Sequence, residues 1–163
     1  MAFMDDKEVC EILTVSSDKE YREFLNSSTA DIAFIPEQYQ NYKGPVMKGD
    51  AGNFSKWLHK KEPELKVEIF KAEGKLELHS ADLWLPLAFL GTNITLPVYL
   101  NIVASYLYDR MKGSLLGEKK RVHMEAIYED EKDGVVKKFS FEGDAETLKD
   151  TIKKLDLNKF LDN

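Results

Sequence analysis

Cysteine is almost missing from this chain: Cys10 is the single one in 163 residues. An internal disulfide cannot form, which excludes a disulfide-stapled scaffold. Cys10 lies beside Val9, Ile12 and Leu13, so the sequence predicts a small buried hydrophobe there. Excess positive charge is missing too. Twenty-three Lys and Arg against 29 Asp and Glu give a formal net charge of −6, with a pI near 5.2. A general nucleic-acid binder needs a basic face to neutralise phosphate, so nucleic acid is not an expected partner. The first residues carry Asp5 and Asp6 where a secretory signal has cations, and no long apolar core follows. A cytoplasmic protein is expected, with the sequons at Asn26, Asn53 and Asn93 unglycosylated. No motif names a reaction.

The most telling absence is local. From Leu83 to Tyr108 there is no charged side chain, although 32% of the sequence is Asp, Glu, Lys or Arg. Such a run is buried in the chain's own core, in lipid, or against a partner. Its length would suffice for a membrane-spanning helix, since about 20 apolar residues cross the hydrocarbon core. The cations Arg110, Lys112, Lys119, Lys120 and Arg121 follow it, as on a cytoplasmic flank. Pro86, Gly91, Thr92, Asn93, Thr95, Pro97 and Asn101 break or polarise it, however. Gly91-Thr92-Asn93 reads as a helix stop, and Thr95 as an N-cap with Pro97 in the first turn. The prediction is two helices, about 82–90 and 96–112. The second is apolar nearly all round and so buried on several sides.

What is present is globular: 43% hydrophobic and 11% aromatic residues, in a length that buries about two thirds of the unfolded surface. A strand is predicted over Glu8–Val15. The capping box Ser17-Asp18-Lys19-Glu20 opens a helix with Tyr21, Phe24 and Leu25 inward. A strand at Asp31–Ile35 stops at Pro36. The segment Pro36–Gly52, with Tyr39 and Tyr42, is long for a loop and suggests a lid or binding loop. A helix follows at Asn53–Lys61, then a hairpin pairing Val67–Phe70 with Leu76–His79. Lys120–Glu129 alternates cleanly, with Val122, Met124, Ala126 and Tyr128 on one side. Asp133-Gly134 turns the chain into Val135–Phe141, and Asp144 caps a last helix through Ala145, Leu148, Ile152 and Leu155. The fold class expected is α+β, mostly antiparallel strands with a central buried apolar helix pair. The boundary expected is an N-terminal α+β lobe, 1–80, and a C-terminal helix–hairpin–helix lobe, 81–163.

Candidate chemistry is thin. Glu77 with His79, and His123 with Glu125, share strand faces, and four such ligands could hold zinc if the hairpins met. Solvent-facing polar residues on half-buried strands explain them better. His59, beside Lys60 and Lys61, reads as surface. Cys10 would need a base nearby to act as a nucleophile. Lys48–Gly52 lacks the spacing of a phosphate loop. No cofactor, metal or catalytic residue is assigned.

Leu90–Pro97 leading into a helix that ends Tyr106–Lys112, then two strands and Phe141–Glu146, resembles small uncharacterised bacterial proteins. These include constant components associated with effectors in bacterial conflict systems. The resemblance covers residues 84–156 and implies an accessory or adaptor role beside a separate effector. It supplies no catalytic residues. The leading expectation is therefore a non-catalytic interaction protein, with a protein partner or a homo-oligomer. Tyr39, Tyr42, Trp84, Phe89, Tyr99, Val103 and Tyr106 are its candidate contact residues. The runner-up is a membrane-associated protein using residues 83–108. A third reading is a ligand-binding or hydrolytic domain with 36–52 as its lid.

Overall fold

The computed structural model describes residues 9–15, 19–37, 44, 46–48, 51–70, 74–76, 83–111, 121–130, 132–144, 147–148 and 150. In chain order these form β1 (Val9–Thr14), α1 (Lys19–Ser27), β2 (Ile32–Ile35), β3 (Val46–Lys48), α2 (Ala51–Lys61) and β4 (Val67–Ile69). There follow β5 (Gly74–Leu76), β6 (Leu83–Trp84), β7 (Leu87–Leu90), α3 (Leu96–Met111), β8 (Arg121–Glu129) and β9 (Val136–Asp144). The fold is α+β. The main sheet runs β1-β9-β8-β7-β2-β4, with β6 also on β8, while β3 and β5 form a separate pair.

Helices cover both faces of the sheet, and strand alternation assigns the faces. On one face Ile32, Phe34, Ala88, Leu90, Met124, Ala126, Phe139 and Phe141 meet Phe54 and Leu58 of α2 and Tyr99, Leu100, Val103, Tyr106 and Leu107 of α3. Leu148 is buried in the same cluster. On the other face Ala33, Phe89 and Val136 meet Tyr21 and Phe24 of α1. The alternation read in β8 and β9 holds: Val122, Met124, Ala126, Phe139 and Phe141 are all buried.

Several expectations fail, each for a physical reason. The helix predicted at 82–90 is instead β6 and β7, so α3 has no apolar helical partner of that kind. Leu87–Leu90 lies between β2 and β8, and a strand covered on both faces reads as an unbroken apolar run rather than an alternating one. Pro86, which has no N–H to give a ladder, sits between the two strands. The sheet is mixed. Pairs β1–β9, β8–β9 and β2–β7 are antiparallel, whereas β2–β4, β6–β8, β7–β8 and β3–β5 are parallel. The hairpin predicted around 72–75 is not seen among the described residues. Val67–Ile69 of its first strand pair with β2, and Leu76, the one described residue of its second, pairs with Lys48 of β3; residues 77–79 lie outside the described residues. Two crossovers are present: α2 lies between parallel neighbours β2 and β4, and α3 between parallel neighbours β7 and β8.

Residue 80 does not divide the sheet, because β1 pairs with β9 and β2 with β7 across it. Cys10 is exposed, not buried. It lies on β1, an edge strand whose Ile12 and Leu13 are 44% and 53% exposed. The segment 36–52 contains β3, tied to Glu37 by N–H···O bonds of 2.8 Å in both directions with Val46. The Ser17 cap, Tyr39, Tyr42, Glu77, His79, Ala145, Ile152 and Leu155 lie outside the described residues. The uncharged run is folded as β6, β7 and α3, and no helix among the described residues is long and apolar enough to cross a membrane.

Candidate binding cleft

Parallel strands β7 and β8 end on the same side of the sheet, and α3 begins there. Their pairing stops at Phe89–Ile127, and beyond it the strands part. Tyr21 of α1 fills the gap. Its hydroxyl donates to the Leu90 carbonyl at 2.9 Å and accepts from the Glu129 N–H at 3.1 Å. One buried side chain thus takes over where the ladder ends. Burial pushes its phenol upward from the ordinary value, so the hydroxyl keeps the proton it donates.

The turn from β7 into α3 forms the second wall. Gly91 donates its N–H to the Asp31 carbonyl at 2.8 Å. A Cβ there would stand 2.6 Å from the Ala30 carbonyl oxygen, so only glycine fits this close approach. The buried Asp31 carboxylate accepts from the Lys66 N–H at 3.0 Å and from the Asn93 side-chain amide at 3.3 Å. Thr95 accepts the first bond of α3, from the Tyr99 N–H at 3.0 Å, which fixes it as the N-cap predicted.

The β8–β9 turn forms the third wall. Gly134 takes a positive φ of 67°, as the Asp-Gly signal requires. Asp130 and Asp133 accept from the backbone N–H groups of Lys132 and Val135, each at 2.9 Å. Lys137 spans both carboxylates, at 2.7 and 3.2 Å. Its charge and hydrogen bond hold the Asp130 carboxyl below the usual range, and the two aspartates raise Lys137 in turn. Arg22 donates to Glu129 at 2.8 Å and to the Gly134 carbonyl at 3.2 Å. Burial, then Asp130, pushes the Tyr128 phenol up to about 12.

These walls enclose a cleft of about 630 Å³, within the range that takes a small molecule or a partner's side chain. Ile12, Ile94, Leu96 and Pro97 make its apolar lining, and Thr92, Thr95 and Tyr128 its hydroxyls. No family model, curated protein or solved structure matches this chain.

The carboxylates of the cleft are engaged in shaping it. Glu129 is paired with Arg22, while Asp130 and Asp133 hold Lys137 and the turn amides. Among the described residues no group of three or more His, Cys, Asp or Glu is placed to hold a metal ion. His123, read as solvent-facing, lies 3.4 Å from Glu142 and stacks on Trp84 with ring centroids 3.8 Å apart and planes 5° apart. Glu125, its neighbour on that face, pairs with Lys138 at 2.6 Å.

Of the contact residues expected from sequence, Tyr99, Val103 and Tyr106 share one cluster on α3 and Phe89 lies in another. Phe89 lies beneath α1, while Tyr99, Val103 and Tyr106 face the sheet from α3, and all four are buried. Their apolar side chains are part of the two core clusters. Trp84 is half-exposed, and Tyr39 and Tyr42 lie outside the described residues. The cleft residues were not singled out. The Thr95 cap and the Asp133-Gly134 turn were legible, but nothing local said that Tyr21 would join them across the sheet.

Proposed function

We propose that this chain is a non-catalytic interaction module of adaptor type, which takes hold of its partner through the cleft between β7, β8 and the start of α3. One observation supports this reading above the others. The cleft stands outside the carboxyl ends of neighbouring parallel strands, where open sheets bind ligands, yet its carboxylates, Glu129, Asp130 and Asp133, are held in pairs with Arg22 and Lys137. An enzyme there would need a nucleophile beside a base, or a charge held ready for a transition state. The lining suits a group with an apolar body and a hydrogen-bonding end, such as a partner's side chain or a small polar ligand. The accessory role in a bacterial defence or conflict system, implied by the resemblance of residues 84–156, belongs to the same proposal. So does a cytoplasmic location.

The test is an NMR titration of the ¹⁵N-labelled chain with panels of amino-acid amides, short peptides and nucleotides. Saturable shifts confined to Gly91–Leu96 and Glu129–Asp133 are expected, with every added compound recovered unchanged. Turnover of a bound compound would move the chain to the hydrolytic reading. Shifts that map elsewhere would remove the cleft from the proposal.

A further inference from the structure

Helix α3 has two unlike sides. Tyr99, Leu100, Val103, Tyr106 and Leu107 face the sheet and are buried. On the water side Val98 is 50% and Tyr108 59% exposed, with Asn101 and Ser105 exposed between them. No residue from Leu96 to Tyr108 is charged. A surface helix ordinarily turns charged and polar groups to water, and this one turns an uncharged stripe to it.

The stripe is ordered. Val98, Asn101, Ser105 and Tyr108 are spaced three, four and three apart, the a/d spacing of a coiled-coil seam. They are also symmetric about the middle of the helix. Laid antiparallel on a copy of itself, α3 brings Val98 against the partner's Tyr108 and Asn101 against the partner's Ser105. The ring then covers the Val98 methyls. The Asn101 amide already donates to the Pro97 carbonyl at 3.0 Å, which leaves its oxygen free to accept from a facing serine hydroxyl. Serine and asparagine are short enough for two helices to come close.

We infer that α3 is a dimerisation helix, and that two copies of this chain pack these seams antiparallel across a two-fold axis. Self-complementarity is what a two-fold interface demands, since the same patch serves both sides. A chain of net charge −6 repels its copy over most of its surface, and this stripe is where no charge faces another. Antiparallel packing also sets each helix N-terminus beside the other's C-terminus, the favourable order of the dipoles. Leu96 and Pro97 line the cleft, so the partner's Tyr108 reaches its rim and each copy helps to close the other's site. Two heptads of one helix are small beside the roughly 800 Å² per partner of a standard interface. The dimer is therefore concentration-dependent.

Sedimentation equilibrium from about 1 μM to about 1 mM covers the relevant affinities. The wild-type mass should rise from monomer to dimer over that range. Ser105→Glu, which sets two carboxylates at the centre of the seam, should stay monomeric throughout with its melting temperature unchanged. Lys56→Glu, on the exposed side of α2, should dimerise as wild type. A second experiment needs no charge in the seam. In a Cys10→Ser background, a mixture of Val98→Cys and Tyr108→Cys should cross-link under mild oxidation, while neither variant should cross-link alone. A wild-type chain monomeric at about 1 mM overturns the inference, as does a folded Ser105→Glu that still dimerises. Cross-linking of Val98→Cys to itself would overturn the antiparallel arrangement.

Discussion

On one side of the sheet, Tyr21 is buried and its hydroxyl makes two backbone hydrogen bonds, to Leu90 and from Glu129. On the other, Tyr99 is fully buried and its hydroxyl finds no hydrogen-bond partner among the described residues. The two rings are packed comparably. Tyr21 lies near Phe24 and Phe89, with centroids 6.4 and 6.0 Å away, and Tyr99 lies 6.5 Å from Phe54. The difference lies in what the oxygen does. Under α1 it joins two strands whose ladder has ended, so the polar atom contributes to the architecture. Under α3 it is carried into the core by a ring whose apolar area repays the loss of water. Burial raises both phenols, but only one of the two hydroxyls holds strands together.

The largest effect is expected where α3 meets the sheet. Val103 is fully buried among apolar residues. Val103→Asp buries a carboxyl with no partner, at a cost of several kcal/mol, against a total stability of about 5–15 kcal/mol for a domain. Loss of the cooperative transition by circular dichroism is expected. A variant with wild-type stability would mean that α3 does not pack as described, and the contrast between the two sides would lose its basis.

Tyr21→Phe comes next. It keeps the ring and strands two backbone groups that are partnered now, which costs about 1–3 kcal/mol. Urea denaturation should show a lower midpoint with an unchanged slope. Tyr99→Phe should carry the opposite sign. Removing a hydroxyl buried without a hydrogen bond relieves its desolvation, so the midpoint should hold or rise, by about 1 kcal/mol at most. A destabilised Tyr99→Phe would reveal a partner for that hydroxyl and make the two tyrosines alike.

How much of this was legible in the sequence follows from the range of each signal. The alternation of β8, the Asp133-Gly134 turn and the Thr95 cap are local, and each appears where it was read; α3 forms where a helix was expected but is not buried nearly all round, since Val98 and Tyr108 are 50% and 59% exposed. β7 was misread because Leu87–Leu90 is apolar at every position, a pattern that a buried helix and a central strand share. Around 67–76 the described residues form two separate parallel pairings, and two strands with a turn signal between them fit a hairpin as well as they fit that arrangement. Parallel pairing has no local signature, since its hydrogen bonds join residues far apart in the chain. Tyr21 was rightly placed inward. That its hydroxyl would meet Leu90 and Glu129 depends on which strands adjoin, and the sequence alone did not say.

The smallest effect is expected at the cleft rim, outside both cores, and it separates surface pairing from burial. Lys137 bridges Asp130 and Asp133 at 2.7 and 3.2 Å, partly open to water. Lys137→Met should lower stability near pH 7 by only about 0.2–1 kcal/mol, less than Tyr21→Phe. The pH dependence fixes the cause. The Asp130 carboxyl is held low, so its share of the pairing is present above the unfolded value of about 3.9 and is lost as pH falls through the folded value. Lys137 is held high, so its share is present below about 10.4 and is lost as pH rises through the folded value. The gap between wild type and Lys137→Met, measured by urea denaturation, should be full near neutrality and close at both extremes. A gap that persisted at about pH 2, where carboxylates are protonated, would mean that the lysine acts through the packing of its stem. The rim would then resemble the Tyr99 side of the molecule, where apolar area does the stabilising, more than the Tyr21 side.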